Sequence, residues 1–429
     1  MKYALVNPPW SFEGSIYFGC REPHLPLEYG YSKALLEAAG HEAEIIDAQL
    51  DGFDYDEIRR RIARYEPDIT VVTTAPSYLF WRCAPPELRA PRLTAEAVRD
   101  IAGTLVVVGP HASTTPRPTL RKMDAAAVVM GECEEILPQL DGDWSGVPSL
   151  AWRSGDQIRV QGATHSADMA ALPALRWEDA TVRRHRHHHH RFEAEPAGPG
   201  AEMEASRGCP YHCTFCAKDN FRDKYRRRSL PVILEELDAL IAQGIEYVYF
   251  IDEIFLPWRE LLVALAERPV KIGVQTRIDL WTHEMLDLLG AAQCVSIEAG
   301  IESITEEGRQ VLDKKCRLST EELADRLVYA KTRVPFVQAN LLDMQEDNQQ
   351  EVERWRQYLI DRGVWANKPV PLFPYPGSPE YTLKWGAVTD DAWERAHDFY
   401  LKGFDEFSDI QEERPAPLVQ LELTPAHGR

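Results

Sequence analysis

No apolar run in this 429-residue chain approaches the ~20 residues a membrane-spanning helix needs, so no membrane partner is expected. A signal-peptide pattern is also missing. Met1-Lys2-Tyr3-Ala4-Leu5-Val6-Asn7-Pro8-Pro9 passes directly into a strand-like stretch, and a cytoplasmic location is expected. Cysteines are too scattered, at eight over this length, for a secreted disulfide framework. Only one C-x2-C pair exists, Cys213 with Cys216, where structural zinc sites usually draw on two. No G-x-G-x-x-G opens a helix, which argues against a nicotinamide site. Positive charge is scarce: 48 Lys and Arg against 68 Asp and Glu give a formal net charge of −20. Such a surface repels nucleic-acid backbones at long range, and no nucleic-acid partner is expected.

What is present centres on Arg207-Gly208-Cys209-Pro210-Tyr211-His212-Cys213-Thr214-Phe215-Cys216, a C-x3-C-x2-C loop. Three thiolates at this spacing can each ligate one iron of a [4Fe–4S] cluster and leave the fourth iron open to an outside ligand. A zinc site completed by His212, or three ordinary thiols, are the alternatives. Cys20, Cys83, Cys133, Cys294 and Cys316 carry no motif and read as small buried apolar residues.

Residues 1–140 alternate strands and helices, with strand-like runs at 3–6, 44–47, 68–74, 104–108 and 125–130 and a closing helix at 132–140. This α/β pattern predicts a doubly wound parallel sheet that binds ligands beyond its carboxyl ends. Residues 141–202 read as a linker with a hairpin near 149–161 and a His187–His190 run. Adjacent side chains point different ways, so that run is a basic strand or loop before it is a metal site. Residues 203–385 repeat strand and helix, predicting a full or partial (β/α) barrel with charged Asp252, Glu253, Arg277 and Glu298 at its carboxyl strand ends. Residues 386–429 read as one helix and a loosely ordered tail. Two basic segments, 183–191 and 222–228, could hold an anionic small-molecule substrate, with a solvated face as the plainer reading. The loop at 79–89 could cover a ligand or be a surface flap.

The cysteine loop, with Phe215 just before its last cysteine, resembles the cluster loop of radical S-adenosylmethionine (SAM) enzymes. Phe250-Ile251-Asp252-Glu253, Thr276-Arg277-Ile278-Asp279, Gly300-Ile301-Glu302-Ser303 and Phe373-Pro374-Tyr375-Pro376-Gly377 are similar to later strand elements of that family. Leu5-Val6-Asn7-Pro8-Pro9, Val108-Gly109-Pro110-His111 and Gly131-Glu132-Cys133-Glu134 resemble the cobalamin-binding domain of one large subfamily. The resemblance implies cluster ligation by Cys209, Cys213 and Cys216. It implies SAM contacts at Phe215, Asp252, Glu253, Arg277, Glu298 and Glu302. It places cobalamin against Pro8, Pro9, Trp10, Thr74, Ala75, Ser77, Tyr78, Gly109, Pro110, His111, Gly131 and Glu132. A D-x-H-x-x-G segment, which supplies cobalt with a histidine in many cobalamin proteins, is missing, so the resemblance implies cobalamin held without that ligand.

The implied function is a cobalamin-dependent radical SAM enzyme, a methyltransferase acting on an unactivated carbon through a 5′-deoxyadenosyl radical and methylcobalamin, with an external flavodoxin or ferredoxin as electron donor. A radical SAM rearrangement, cyclisation or oxidation is the alternative. A non-catalytic iron–sulfur or zinc protein is a third reading, of another class.

Overall fold

Two largely parallel sheets carry the chain in the computed structural model, which describes residues 1–16, 23–76, 84–185, 199–220, 222, 224–344, 347–404 and 414–423. The first sheet uses β1 (Lys2–Asn7), β2 (Glu42–Asp47), β3 (Ile69–Thr73), β4 (Thr104–Val108) and β5 (Ala127–Val129). They run parallel in the order β2-β1-β3-β4-β5. Alternate residues serve opposite faces. Tyr3 and Leu5 pack with Tyr29 and Leu36 of the helix Leu27–Ala38. Ala4 and Val6 pack with Ile58, Ile62, Ala95 and Val98 of the helices Tyr55–Tyr65 and Arg89–Val98. Cover on both sides is why all of β3 is buried and apolar or β-branched. The strand order reverses between β1 and β3, and that switch point is where such sheets open a crevice for ligands.

Two expectations for this half are corrected. The stretch 132–140 is not a full helix; it forms turns and one tight helical turn at Leu137–Gln139, because its acidic side chains are drawn into contacts described below. The hairpin assigned to a linker, β6 (Leu150–Ser154) and β7 (Gln157–Gln161), instead extends the first sheet antiparallel beyond β5.

The second sheet begins earlier than expected. β8 (Gly200–Met203) is its edge strand, and β11 (Tyr247–Phe250), β12 (Lys271–Thr276), β13 (Cys294–Glu302), β14 (Phe336–Asp343) and β15 (Trp365–Ala366) follow in sequence order, all parallel. Between β8 and β11 a short antiparallel ribbon, β9 (Ser206–Arg207) with β10 (Arg226–Arg227), frames the cysteine loop. β16 (Val370–Pro371) pairs with the end of β14. Among the described residues β8 and β15 are open edges, so the barrel is partial. Its core is continuous from Met203 through Val248, Val274, Ile297 and Val337.

The carboxyl-terminal segment is not a loose tail over its described residues. The helix Ala392–Gly403 packs Trp393, Ala396 and Tyr400 into a cluster with Phe373, Tyr381 and Leu418. A last short helix, Leu418–Leu423, buries Leu418 and Leu421. Ala416 N donates to Gly14 O at 2.8 Å.

Candidate active site

Beyond the end of β8 the chain makes the turn that carries the cysteine loop. Gly208 stands at φ 77°, and a Cβ there would meet the Lys224 carbonyl, so glycine is required for the loop to pass so close to that backbone. Cys213 is buried, and Cys209 and Cys216 are half-buried. Burial pushes all three thiols up, Cys216 to about 12. Lys218 works against that effect at Cys209 and Cys216, and Lys314 and Arg277 at Cys213. These cations favour thiolate, the form that binds iron. Among the described residues no three Cys, His, Asp or Glu side chains gather around one point suited to a single metal ion. Ligands of a four-iron cluster sit on separate irons and need no such convergence.

The residues expected around SAM fall into three groups. Arg277, just past β12, bonds Asp279 at 2.7 and 3.2 Å and lies 4.0 Å over the Tyr211 ring of the cysteine loop. Its Nη1 is buried without a partner, a donor positioned for an anionic ligand group. Glu302 ends β13 at φ 58° and pairs with Lys314, whose Nζ also donates to Gly300 O at 3.0 Å and sits 5.9 Å from the Phe215 ring. Asp252 and Glu253 follow β11 after Ile251. Asp252 accepts from Ala205 N at 2.9 Å and from Ser206 Oγ, and burial pushes it up to about 8, helped by Glu204 and Glu253. Glu253 accepts from Gly208 N at 2.8 Å, and burial raises it too.

Glu298 departs from expectation. β13 runs four residues past it, so Glu298 lies inside the barrel rather than at the strand end, accepting from Tyr249 Oη at 3.0 Å. The strand is longer than its apolar run because Ala299, Gly300 and, past a bulge, Glu302 continue the pairing with β14.

The described residues expected around cobalamin lie at the carboxyl end of the first sheet, but several have their polar atoms spent. Thr74 Oγ1 donates to Val108 O at 3.1 Å and accepts from His111 N at 3.3 Å. Gly109, at φ 110°, leaves room for that hydroxyl. His111 is buried, with Nε2 3.2 Å from Pro86 O and its ring stacked on Trp393 at 4.1 Å. Burial holds it down at about 3. Gly131 N donates to Ser113 Oγ. Pro8, Ala75 and Pro110 are buried and Pro9 and Trp10 half-buried. Ser77 and Tyr78 lie outside the described residues, as do residues 79–83 of the adjoining loop and the His187–His190 run.

Glu132 is the clearest correction. Both its oxygens accept from Arg226, at 2.7 and 2.8 Å, and Arg222 and Arg207 lie 3.3 and 3.6 Å away. Burial opposes its charge, but the three guanidiniums outweigh that and hold it at about 2. It is the centre of an ion network between the sheets, with no oxygen left for a cofactor. Arg207 reaches Glu134 at 2.6 Å and Glu204 at 2.8 Å; Arg222 reaches Glu204 at 3.1 Å and Glu253 at 3.4 Å. The basic segment 222–228 is therefore only in part a solvated face: Lys224 and Arg227 are exposed, but Arg222 and Arg228 are buried, Arg228 against Glu236 at 2.7 Å. Sequence reasoning missed Lys218, Lys314, Glu204 and the network role of Arg207. The basic run beside a cysteine loop was the one available signal.

Residues 203–359 match the model of the radical SAM superfamily, and residues 21–141 that of the B12 binding domain. The chain carries a radical SAM domain and a B12-binding domain. An uncharacterized methyltransferase of Pyrococcus horikoshii is 22% identical over 88% of this chain and 82% of the relative. The anaerobic magnesium-protoporphyrin IX monomethyl ester cyclase of Cereibacter sphaeroides is 25% identical over 76% of this chain, which spans 55% of that protein. The fold matches the radical S-adenosylmethionine methyltransferase TsrM of Kitasatospora setae, solved with cobalamin and a [4Fe–4S] cluster bound, at a TM-score of 0.71 and 19% identity over 88% of this chain and 76% of that one. Among the described residues, no helix is long and apolar enough to cross a membrane.

Proposed function

We propose that the chain is a cobalamin-dependent radical SAM enzyme that methylates an unactivated carbon of a small-molecule substrate. One observation carries this reading. Arg207 and Arg226, flanking the cysteine loop, pair with Glu134 and Glu132 beyond β5, so the ligand-binding ends of the two sheets adjoin.

When bound, the cofactors supply one-electron cleavage of SAM and a carrier for its methyl group. The chain's own residues hold and screen them. Cys209, Cys213 and Cys216 would take the cluster, with Lys218, Lys314 and Arg277 offsetting its negative charge. The unpartnered Arg277 Nη1 suits the SAM carboxylate. Glu253 fixes the loop through Gly208 N. Pro8, Pro9, Trp10 and Ala75 offer an apolar border for the corrin ring. Such a cluster needs a reducing compartment, the cytoplasm, and an electron donor of the flavodoxin or ferredoxin class.

The test is anaerobic reconstitution with iron, sulfide and hydroxocobalamin, followed by analysis per chain and product assay. About four irons and one corrinoid, with S-adenosylhomocysteine and 5′-deoxyadenosine both accumulating, is the expected outcome. Bound corrinoid with 5′-deoxyadenosine but an unmethylated product would favour the second reading, a radical ring closure or rearrangement, for which the cyclase relative speaks. Zinc in place of iron would overturn both.

A further inference from the structure

Among the described residues at the carboxyl end of the first sheet, Asp47 carries an unspent acceptor. Asp47, the last residue of β2, is 6% exposed. Its Oδ1 accepts from Leu50 N at 3.1 Å, capping the short helix Ala48–Asp51, and from Asn7 Nδ2 at 2.8 Å. Its Oδ2 is buried with no partner. Asn7 is the last residue of β1 and lies directly opposite Asp47 in the parallel pairing. The Asn7 amide is oriented from its other side, because Trp10 Nε1 donates to its Oδ1 at 2.7 Å. Trp10, Asn7 and Asp47 thus form a fixed relay along the strand ends beside the β1/β3 switch point, where this sheet class takes its ligand. Across that point the hydroxyl of Thr74 is already committed within the protein.

A buried acceptor left unpaired costs free energy that a bound donor would recover. We infer that Asp47 is a contact residue of the corrinoid site, its Oδ2 accepting a hydrogen bond from a neutral N–H or O–H donor of the bound cofactor. The donor is a side-chain amide of the ring or a hydroxyl of the nucleotide tail. A phosphate is disfavoured because it is anionic and has no hydrogen to give a carboxylate oxygen. Burial pushes the carboxyl up to about 6, in keeping with a group awaiting a partner. This inference rests on the cobalamin reading above.

The experiment compares the wild-type chain with Asp47→Asn, titrating each anaerobically with hydroxocobalamin and with dicyanocobinamide, which lacks the nucleotide tail, and following the corrin absorbance. Asn keeps the oxygen that caps the helix and receives Asn7, but presents a second donor where Oδ2 accepts. A melting curve shows that the variant folds. The dissociation constant for cobalamin is expected to rise on the order of tenfold. A rise for cobalamin alone assigns the donor to the tail; an equal rise for both corrinoids assigns it to a ring amide. Unchanged binding of both by a folded variant overturns the inference and leaves Asp47 a helix cap. Failure of the wild-type chain to take up either corrinoid overturns the cobalamin reading itself, and the inference falls with it.

Discussion

Arg207 has no surface to retreat to. Its guanidinium is wholly buried between Glu134 and Glu204, so it cannot be removed without stranding two carboxylates away from water. Arg207→Met should destabilise the protein by about 3–5 kcal/mol, read as a lowered urea midpoint. Arg207→Lys, which keeps the charge but not the planar fork, should recover only part of that loss. Asp252 makes a different prediction. It titrates near 8 in the fold against 3.8 when unperturbed. Between those values the folded state keeps a proton that the unfolded state has lost, so its contribution to stability falls as pH rises through that window. Asp252→Asn, neutral at every pH, should gain in melting temperature relative to wild type between pH 5 and pH 8; parallel curves would contradict the burial argument. The cysteines were legible because their spacing is local and chemical. Glu132 was not. Its partner Arg226 lies 94 positions away, and no periodicity connects a carboxylate in one sheet to a guanidinium in another. The same distance hid the burial of the basic run, since charge alone does not say whether an arginine meets water or glutamate.

Elements were legible where an apolar run was long enough to stand out. β3 and β4 are such runs. β8 is not: Gly200-Ala201-Glu202-Met203 is short and carries a glutamate, and only pairing with β11 makes it a strand. The carboxyl-terminal helices likewise gain their order from what they cover. Trp393 stacks on His111 and donates to Thr115 Oγ1 at 3.2 Å, and it is the helix Ala392–Gly403 that keeps His111 dry and neutral. Because His111 is held at about 3 against 6.5 unperturbed, the unfolded chain binds the extra proton. Stability should therefore drop as pH falls from about 6.5 toward 3. Trp393→Ala should cost about 3–5 kcal/mol and move the His111 titration, followed by NMR, back toward its ordinary range. An unmoved titration would show that the helix is not what desolvates it.

At the scale of the molecule, the two sheets were expected as separate domains joined by a linker. The hairpin of that linker belongs to the first sheet, and the ion network joins both sheets through groups that cannot be hydrated while it holds. The chain should accordingly unfold in one cooperative thermal transition, with calorimetric and van't Hoff enthalpies in agreement. Arg207→Met should split it into two. Two transitions in the wild-type chain would show that the network does not couple the sheets.

The return of the chain to its own beginning has a consequence in time. Glu422 pairs with Lys122, 300 positions earlier, and Leu421 lies against Gly14. At about 5–20 residues per second, a ribosome that has finished Lys122 needs roughly 15–60 s to deliver Glu422. Until then the first sheet lacks the cover of the last helix, and the helices behind it stay accessible from a side that the finished protein closes.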